Sequence, residues 1–207
     1  MGKSEQLNDI IARLKASKDL EEIKEIYRDW AVTYNQDLSF FGYMAPQVGV
    51  GLFDEVLANQ AGLVFDAACG TGLCGQALAE RGYQRIHGGD FSPEMMAEAR
   101  KTGHYERLFE IDLTQPLPIA DATYDGITCM GAYNPRFNAT FLPELLRILK
   151  PNGVLAVSCR PDYFDNDLYP QAQAGVAAGR FTIERMSRQP YMTGQQVDAG
   201  YLVLRKR

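Results

Sequence analysis

Ile23, Ile26, Tyr27 and Trp30 recur at three-to-four spacing, which places apolar side chains along one stripe of a helix. They belong to a segment, residues 4 to 34, that reads as two helices. Ser4 or Asn8 is expected to cap the first, and Ser17 followed by Asp19 to start the second. Residues 46 to 60 (PQVGVGLFDEVLANQ) read as another helix, with Pro46 near its start. From residue 62 the period changes, and short apolar runs alternate with helical stretches. Strands are predicted over Leu63 to Ala67, Arg85 to Gly89, Leu108 to Ile111, Asp125 to Met130 and Val154 to Cys159. Helices are predicted over Leu73 to Arg81, ended by Gly82, over Pro93 to Lys101, capped by Ser92, and over Phe141 to Leu149, stopped by Pro-Asn-Gly. This alternation predicts an α/β fold with a parallel, doubly wound sheet. The tail differs: Phe181 to Arg188 and Tyr201 to Arg205 are strand-like and joined by MTGQQVDAG, which predicts an antiparallel hairpin at the sheet edge.

The 207 residues suit a single domain, and 46% hydrophobic with 23% charged residues is ordinary for a globular chain. A net charge of −5, with no basic cluster longer than Arg205 to Arg207, argues against a nucleic-acid partner. No run approaches the length of a membrane span, so no membrane partner is expected. The polar start MGKSEQLNDIIARLK lacks the apolar core of a signal peptide, and MGKSEQ misses the myristoylation pattern at its sixth position. The expected location is cytoplasmic. Cys69, Cys74, Cys129 and Cys159 form no C-x-x-C pair and no zinc-spaced cluster. They read as small buried apolar residues in a reducing compartment, and no metal is expected.

The candidate chemistry starts at VFDAACGTGLCG, residues 64 to 75. Gly70, Gly72 and Gly75 have G-x-G-x-x-G spacing between a predicted strand and a predicted helix. The first glycine permits a tight turn, the second a close ligand approach, and the third packing of helix on strand. Asp90 stands at the end of the next strand, twenty residues after Gly70, where a carboxylate can accept both hydroxyls of a ribose. These features fit a nicotinamide dinucleotide and equally S-adenosylmethionine, which carries the same adenosine. Asp66, just before the loop, would repel a pyrophosphate and attract the positive amino-acid end of S-adenosylmethionine. Asp112 with Leu113, at the end of the third strand, offers a carboxylate and a backbone N–H to adenine. No G-K-[ST] follows the glycines, which excludes the phosphate loop of nucleotide hydrolases.

VFDAACGTG, GGDFSPEMM, IDLTQPLPIADATYDGITCMGAY and LLRILKPNGVLAVSCR, in that order, resemble the class I S-adenosylmethionine-dependent methyltransferases over about residues 62 to 160. With YRDWAVTYNQDLSFFGYMAPQ upstream, the chain is similar to the Williams–Beuren-region methyltransferase-like proteins and their bacterial relatives. The resemblance implies a Rossmann-like seven-stranded sheet of order 3-2-1-4-5-7-6, last strand antiparallel, under an N-terminal helical lid. On this reading residues 1–60 form the cap, 61–160 the cofactor-binding core and 161–207 the C-terminal hairpin. It also implies roles. Asp66, Ala68, Gly70 and Gly72 line the methionine end, and Asp90 holds the ribose. Phe91 and Met95 pack on the adenosine, Asp112 and Leu113 read adenine, and Met130 lies near the sulfonium. Tyr27 and Tyr34 close over the cofactor. Two positions depart from the family pattern: Asn35 stands where the Tyr-Asp pair has Asp, and Ala67-Ala68 where an aliphatic-Gly pair is common.

GAYNPRFN after the fourth strand is similar to the N-P-P-Y signature of amide- and base-nitrogen methyltransferases, but Asn134 comes too late and the second proline is missing. It reads instead as a substrate-side loop, with Pro135 shaping a turn. The aromatics Tyr27, Trp30, Tyr34, Phe40, Phe41 and Tyr43 either pack a helix on the sheet or roof the site; Tyr34 and Tyr43, in the less regular stretch, favour the roof. Such walls would suit a cationic or planar acceptor. His87 reads as structural and His104 as solvated. Arg160 follows the fifth strand and either pairs with an acceptor carboxylate or forms a surface ion pair with Asp162 or Asp165. Asp162, Asp165 and Asp167 read as a solvated loop. Tyr133 is chosen, with Arg160, to orient the acceptor. The expected activity is methyl transfer from S-adenosylmethionine to a small molecule, with the acceptor atom, N, O or S, left open. The alternatives are methylation of a protein or peptide side chain, a non-catalytic S-adenosylmethionine binder, and a nicotinamide oxidoreductase.

Overall fold

The structure is a computed structural model that describes residues 2–17, 19–134, 136–137 and 140–207. Its strands are β1 (Val64–Ala67), β2 (Ile86–Asp90), β3 (Arg107–Glu110), β4 (Tyr124–Met130), β5 (Leu149–Cys159), β6 (Phe181–Met192) and β7 (Val197–Lys206). They form one sheet of order β3-β2-β1-β4-β5-β7-β6. The pairs from β3 through β5 are parallel, and β7 runs antiparallel between β5 and β6. The expected strand order and antiparallel last strand are therefore found. Helix α5 (Leu73–Glu80) connects β1 to β2, α6 (Pro93–Thr102) connects β2 to β3, and α7 (Phe141–Ile148) connects β4 to β5.

Each face of the sheet carries its own apolar layer. Val64, Val154 and Ala156 pack with Phe53, Leu78 and Tyr83 on one side. Their strand neighbours Phe65, Leu155 and Val157 pack with Phe141, Leu145 and Leu202 on the other. This is the two-residue alternation of a strand covered on both faces. No helix among the described residues is long and apolar enough to cross a membrane.

The N-terminal region holds α1 (Lys3–Ala16), α2 (Leu20–Trp30), α3 (Tyr34–Phe40) and α4 (Ala45–Leu57). Here the sequence reading needs correction. Neither Ser4 nor Asn8 caps α1; the Gly2 N–H donates to Glu5 Oε2 at 2.9 Å instead. Asp19 caps α2, accepting from the Glu21 N–H at 2.9 Å. Tyr34 opens a helix of its own rather than lying in irregular chain. At the other end, the segment read as an acidic loop is helical: α8 (Pro161–Tyr163), a π-helical stretch (Phe164–Leu168) and α9 (Tyr169–Ala177). Phe164, Leu168 and Ala172 are buried at four-residue spacing, so an apolar stripe holds this helix to the sheet despite its aspartates. Strands β6 and β7 are longer than read, because their pairing extends to the 3₁₀ turn Thr193–Gln195. Pro190 is tolerated there because β6 is the edge strand. Helix α7 stops at Ile148, and Lys150 to Gly153 form the irregular start of β5, with Asn152 at φ +63°.

Candidate functional site

The C-terminal ends of β1, β2 and β3 present the loop and the acids side by side, as parallel strands require. Ala68, Gly70 and Gly72 all have left-handed φ, +57°, +54° and +95°. Ala68 thus takes a conformation that favours glycine, which gives the family's preference for Gly there its physical reason. Asp90 is buried and spans the loop and the next helix. Its Oδ2 accepts from the Gly70 N–H at 2.8 Å, and its Oδ1 from the Ser92 N–H at 2.9 Å. Burial raises its carboxyl above the usual range. Ser92 caps α6 by accepting from the Met95 N–H at 3.3 Å. Asp112 takes two bonds from Thr114 on Oδ1, both at 2.8 Å, and its other oxygen carries none among the described residues.

A cavity of about 620 Å³ opens over these groups. Tyr27, Tyr34, Ala68, Gly70, Asp90, Phe91, Met95, Asp112, Leu113, Met130, Tyr133 and Arg160 all line it. Asp66 and Gly72 do not. Asp66 sits behind the loop, where its Oδ2 accepts from Tyr105 Oη at 2.7 Å and its Oδ1 from Thr128 Oγ1 at 3.0 Å. Burial pushes its carboxyl up to about 6. Both Asp66 oxygens are thus engaged by hydroxyls of the protein. Gly72 begins α5 and packs against Tyr105 and Ala99.

Tyr105 is a residue that the sequence reading missed. Its ring occupies the space a side chain at Gly75 or Gly88 would need, with a Cβ at Gly75 falling 2.3 Å from the ring. Its hydroxyl also accepts from the Gly75 N–H at 3.0 Å. Nothing local marks a tyrosine between α6 and β3 as the partner of a glycine thirty residues earlier.

The cap closes over the cavity. Tyr27 meets Phe91 edge-on at 5.7 Å, and Trp30 meets Tyr34 edge-on at 4.6 Å. Trp30 Nε1 donates to Asp37 at 3.0 Å, so Trp30 both packs and roofs. Asn35, the position that departs from the family pattern, accepts from Thr71 Oγ1 at 2.5 Å and ties α3 to the glycine loop. Tyr43 pairs with Tyr191 edge-on at 5.1 Å, beside Gly131. Tyr191, on β6, was also missed; it reaches the site only through the register of the hairpin.

Beyond β4 the picture changes again. The Tyr133 hydroxyl donates to Asp167 Oδ2 at 2.7 Å and accepts from Gln171 Nε2 at 3.0 Å. Asp167, read from the sequence as part of a solvated loop, lies on helical chain, and the Tyr133 hydroxyl is engaged by it and by Gln171. Arg160 Nε lies 3.8 Å from Asp162, too far for a hydrogen bond, while Asp165 pairs with Arg188. Asn134 is spent on its own loop: Oδ1 accepts from the Arg136 N–H and Nδ2 donates to the Ala132 carbonyl, each at 3.0 Å. The turn expected at Pro135 lies outside the described residues. His87, in β2, bonds Tyr124 at 3.1 Å and does not line the cavity. All four cysteines are free and buried.

A glycine loop, two strand-end acids and this strand order define a methyltransferase. Residues 64–153 match the family model described as a methyltransferase domain, and this stretch of the chain belongs to that family. Among its relatives, the human Methyltransferase-like protein 27 is 34% identical over 161 residues, covering 74% of this chain and 65% of that protein. The trans-aconitate 2-methyltransferase of Azoarcus is 35% identical over 113 residues, 54% of this chain and 44% of that protein. The chain thus spans less than two thirds of the length of either relative. In structure it is similar to the 1,6-didemethyltoxoflavin-N1-methyltransferase of Burkholderia thailandensis, solved with S-adenosylhomocysteine, at a TM-score of 0.65 and 18% identity over 92% of this chain and 91% of that one. S-adenosylmethionine is the cofactor of the family.

Proposed function

We propose that this chain transfers a methyl group from S-adenosylmethionine to a small molecule held in the same cavity. The observation that carries the reading is the pair Asp90 and Asp112, at the ends of adjacent strands, beside an open glycine loop. At Gly70 an added Cβ would meet nothing within 4 Å, so the backbone leaves room for a ligand. Asp90 has lone pairs left after its backbone bonds to hold two ribose hydroxyls. Asp112 Oδ2 and the Leu113 N–H would meet the adenine edge, and Phe91 and Met95 its faces.

When bound, S-adenosylmethionine supplies a methyl group on a sulfonium, which passes to an acceptor's lone pair. The chain's own contribution is alignment and exclusion of water. Tyr191 is buried and Tyr27, Tyr34 and Tyr43 are partly buried, and desolvation raises each phenol, so none serves as a phenolate base near neutral pH. The acceptor must then arrive with a free lone pair, as a thiol, a neutral amine or an acidic hydroxyl does. A relative whose name gives trans-aconitate supports a small acceptor rather than a protein side chain. The four buried free cysteines support work in a reducing, cytoplasmic setting.

The test is the affinity of the full chain for S-adenosylhomocysteine, with NADH alongside. Asp90→Asn keeps the size of the side chain and is expected to weaken S-adenosylhomocysteine binding roughly 10- to 100-fold, the value of a bond to a charged acceptor. Unchanged affinity would remove the site, and a preference for NADH would turn the reading to an oxidoreductase.

A further inference from the structure

The cavity draws its acids and its arginines from different strand ends. Its acids, Asp90 and Asp112, follow β2 and β3; its arginines, Arg136 and Arg160, follow β4 and β5. The sheet order keeps them apart, because β1 separates β2 from β4. Among the described residues, no short ion pair or side-chain hydrogen bond engages either guanidinium. Arg160 Nε is buried and has no hydrogen-bond partner, and its one ion pair, with half-exposed Asp162, is the 3.8 Å contact. The Arg136 side chain has no acidic partner among the described residues, though its backbone is fixed by the Asn134 side chain. A buried donor of a charged group left without an acceptor is costly, and a native chain that keeps one has a use for it. Tyr43, Tyr163 and Tyr191 line the same cavity as aromatic walls.

We infer that the acceptor is a small carboxylate with a planar apolar body, its carboxylate held by Arg160 and Arg136 and its body by the tyrosine walls. This rests on the proposed methyltransferase reading and adds the substrate class. Of the cationic or planar acceptor that aromatic walls would suit, it takes the planar one: two guanidinium groups repel a cation and attract an anion, in a cavity where water screens poorly. A planar guanidinium matches the two oxygens of a carboxylate.

Titration calorimetry on the full chain loaded with S-adenosylhomocysteine tests this with benzoate, benzamide and benzylamine, three probes of one shape and different charge. S-adenosylhomocysteine affinity is measured first. Its absence sinks the methyltransferase reading, and this inference with it; its presence isolates the acceptor question. Benzoate is expected to bind roughly 10- to 100-fold tighter than benzamide, with benzylamine weakest. R160Q and R136Q should each lower benzoate affinity about tenfold and leave benzamide and S-adenosylhomocysteine affinities alone, which also shows that the variants fold. R160K should restore part of the loss. Equal binding of benzoate and benzamide, no benzoate binding, benzoate affinity unmoved by both variants, or a parallel loss of S-adenosylhomocysteine affinity would each overturn the inference.

Discussion

Asp66 is raised from 3.8 to about 6 because folding buries it, and the Tyr105 and Thr128 hydroxyls offset only part of that cost. The folded chain therefore holds this proton more tightly than the unfolded chain between about pH 4 and 6. The contribution of Asp66 to stability falls as pH rises through that window, and the full cost stands above it. A carboxyl raised this far costs about 3 kcal/mol once it is ionised. Asp66→Asn cannot titrate, and its amide can still serve one hydroxyl at each end. Urea unfolding of both proteins from pH 4 to 7 should show wild-type stability falling relative to the variant by up to about 3 kcal/mol. Taking the difference cancels His87, whose lowered pKa works in the opposite sense as pH falls. A flat difference would place water or another proton partner at Asp66.

The strand–loop–helix unit of β1 and α5 shows what a motif specifies and what it leaves open. Its glycines were legible because each is locally constrained, by a left-handed turn or by helix-on-strand packing. The space cleared at Gly75 is filled by Tyr105, which no spacing rule names. Gly75→Ala would drive a Cβ into that ring and is expected to cost roughly 1–3 kcal/mol, a fall of several degrees in melting temperature. Asp66 should lose its Tyr105 bond in the same variant. A melting temperature equal to wild type would show that Tyr105 moves aside freely. The helix from 161 to 177 is the converse case. Its buried Phe164, Leu168 and Ala172 form a period in the sequence, but the aspartates between them favour a loop reading. Asp165 and Asp167 answer to Arg188 and Tyr133, partners 23 and 34 residues away in the chain.

Across the whole molecule, the cap and the C-terminal hairpin meet over the cavity. Tyr43 bridges to Met192, and the Met44 N–H donates to the Tyr191 carbonyl at 2.9 Å. Leu7, Trp30 and Leu38 share an apolar cluster with Tyr191 and Tyr201. Of α1, only Leu7 is buried, so this helix is expected to show the fastest amide exchange among the helices, and β1 and β4 the slowest. S-adenosylhomocysteine should slow exchange in α2 and α3, which carry Tyr27 and Tyr34; protection confined to the glycine loop would show that the cap takes no part in binding. The sequence by itself determined the element types between residues 62 and 160, the strand order through the family motifs, and the acids at the ends of β2 and β3, because periodicity, turns and strand ends are short-range constraints. Only the tertiary structure decided that Asp66 lies behind the site, that Tyr133 is already engaged, and that Tyr105, Tyr191, Arg136 and Arg160 meet their surroundings where they do. Those are contacts between residues far apart in the chain, set by sheet register and crossover packing, and no local pattern records them.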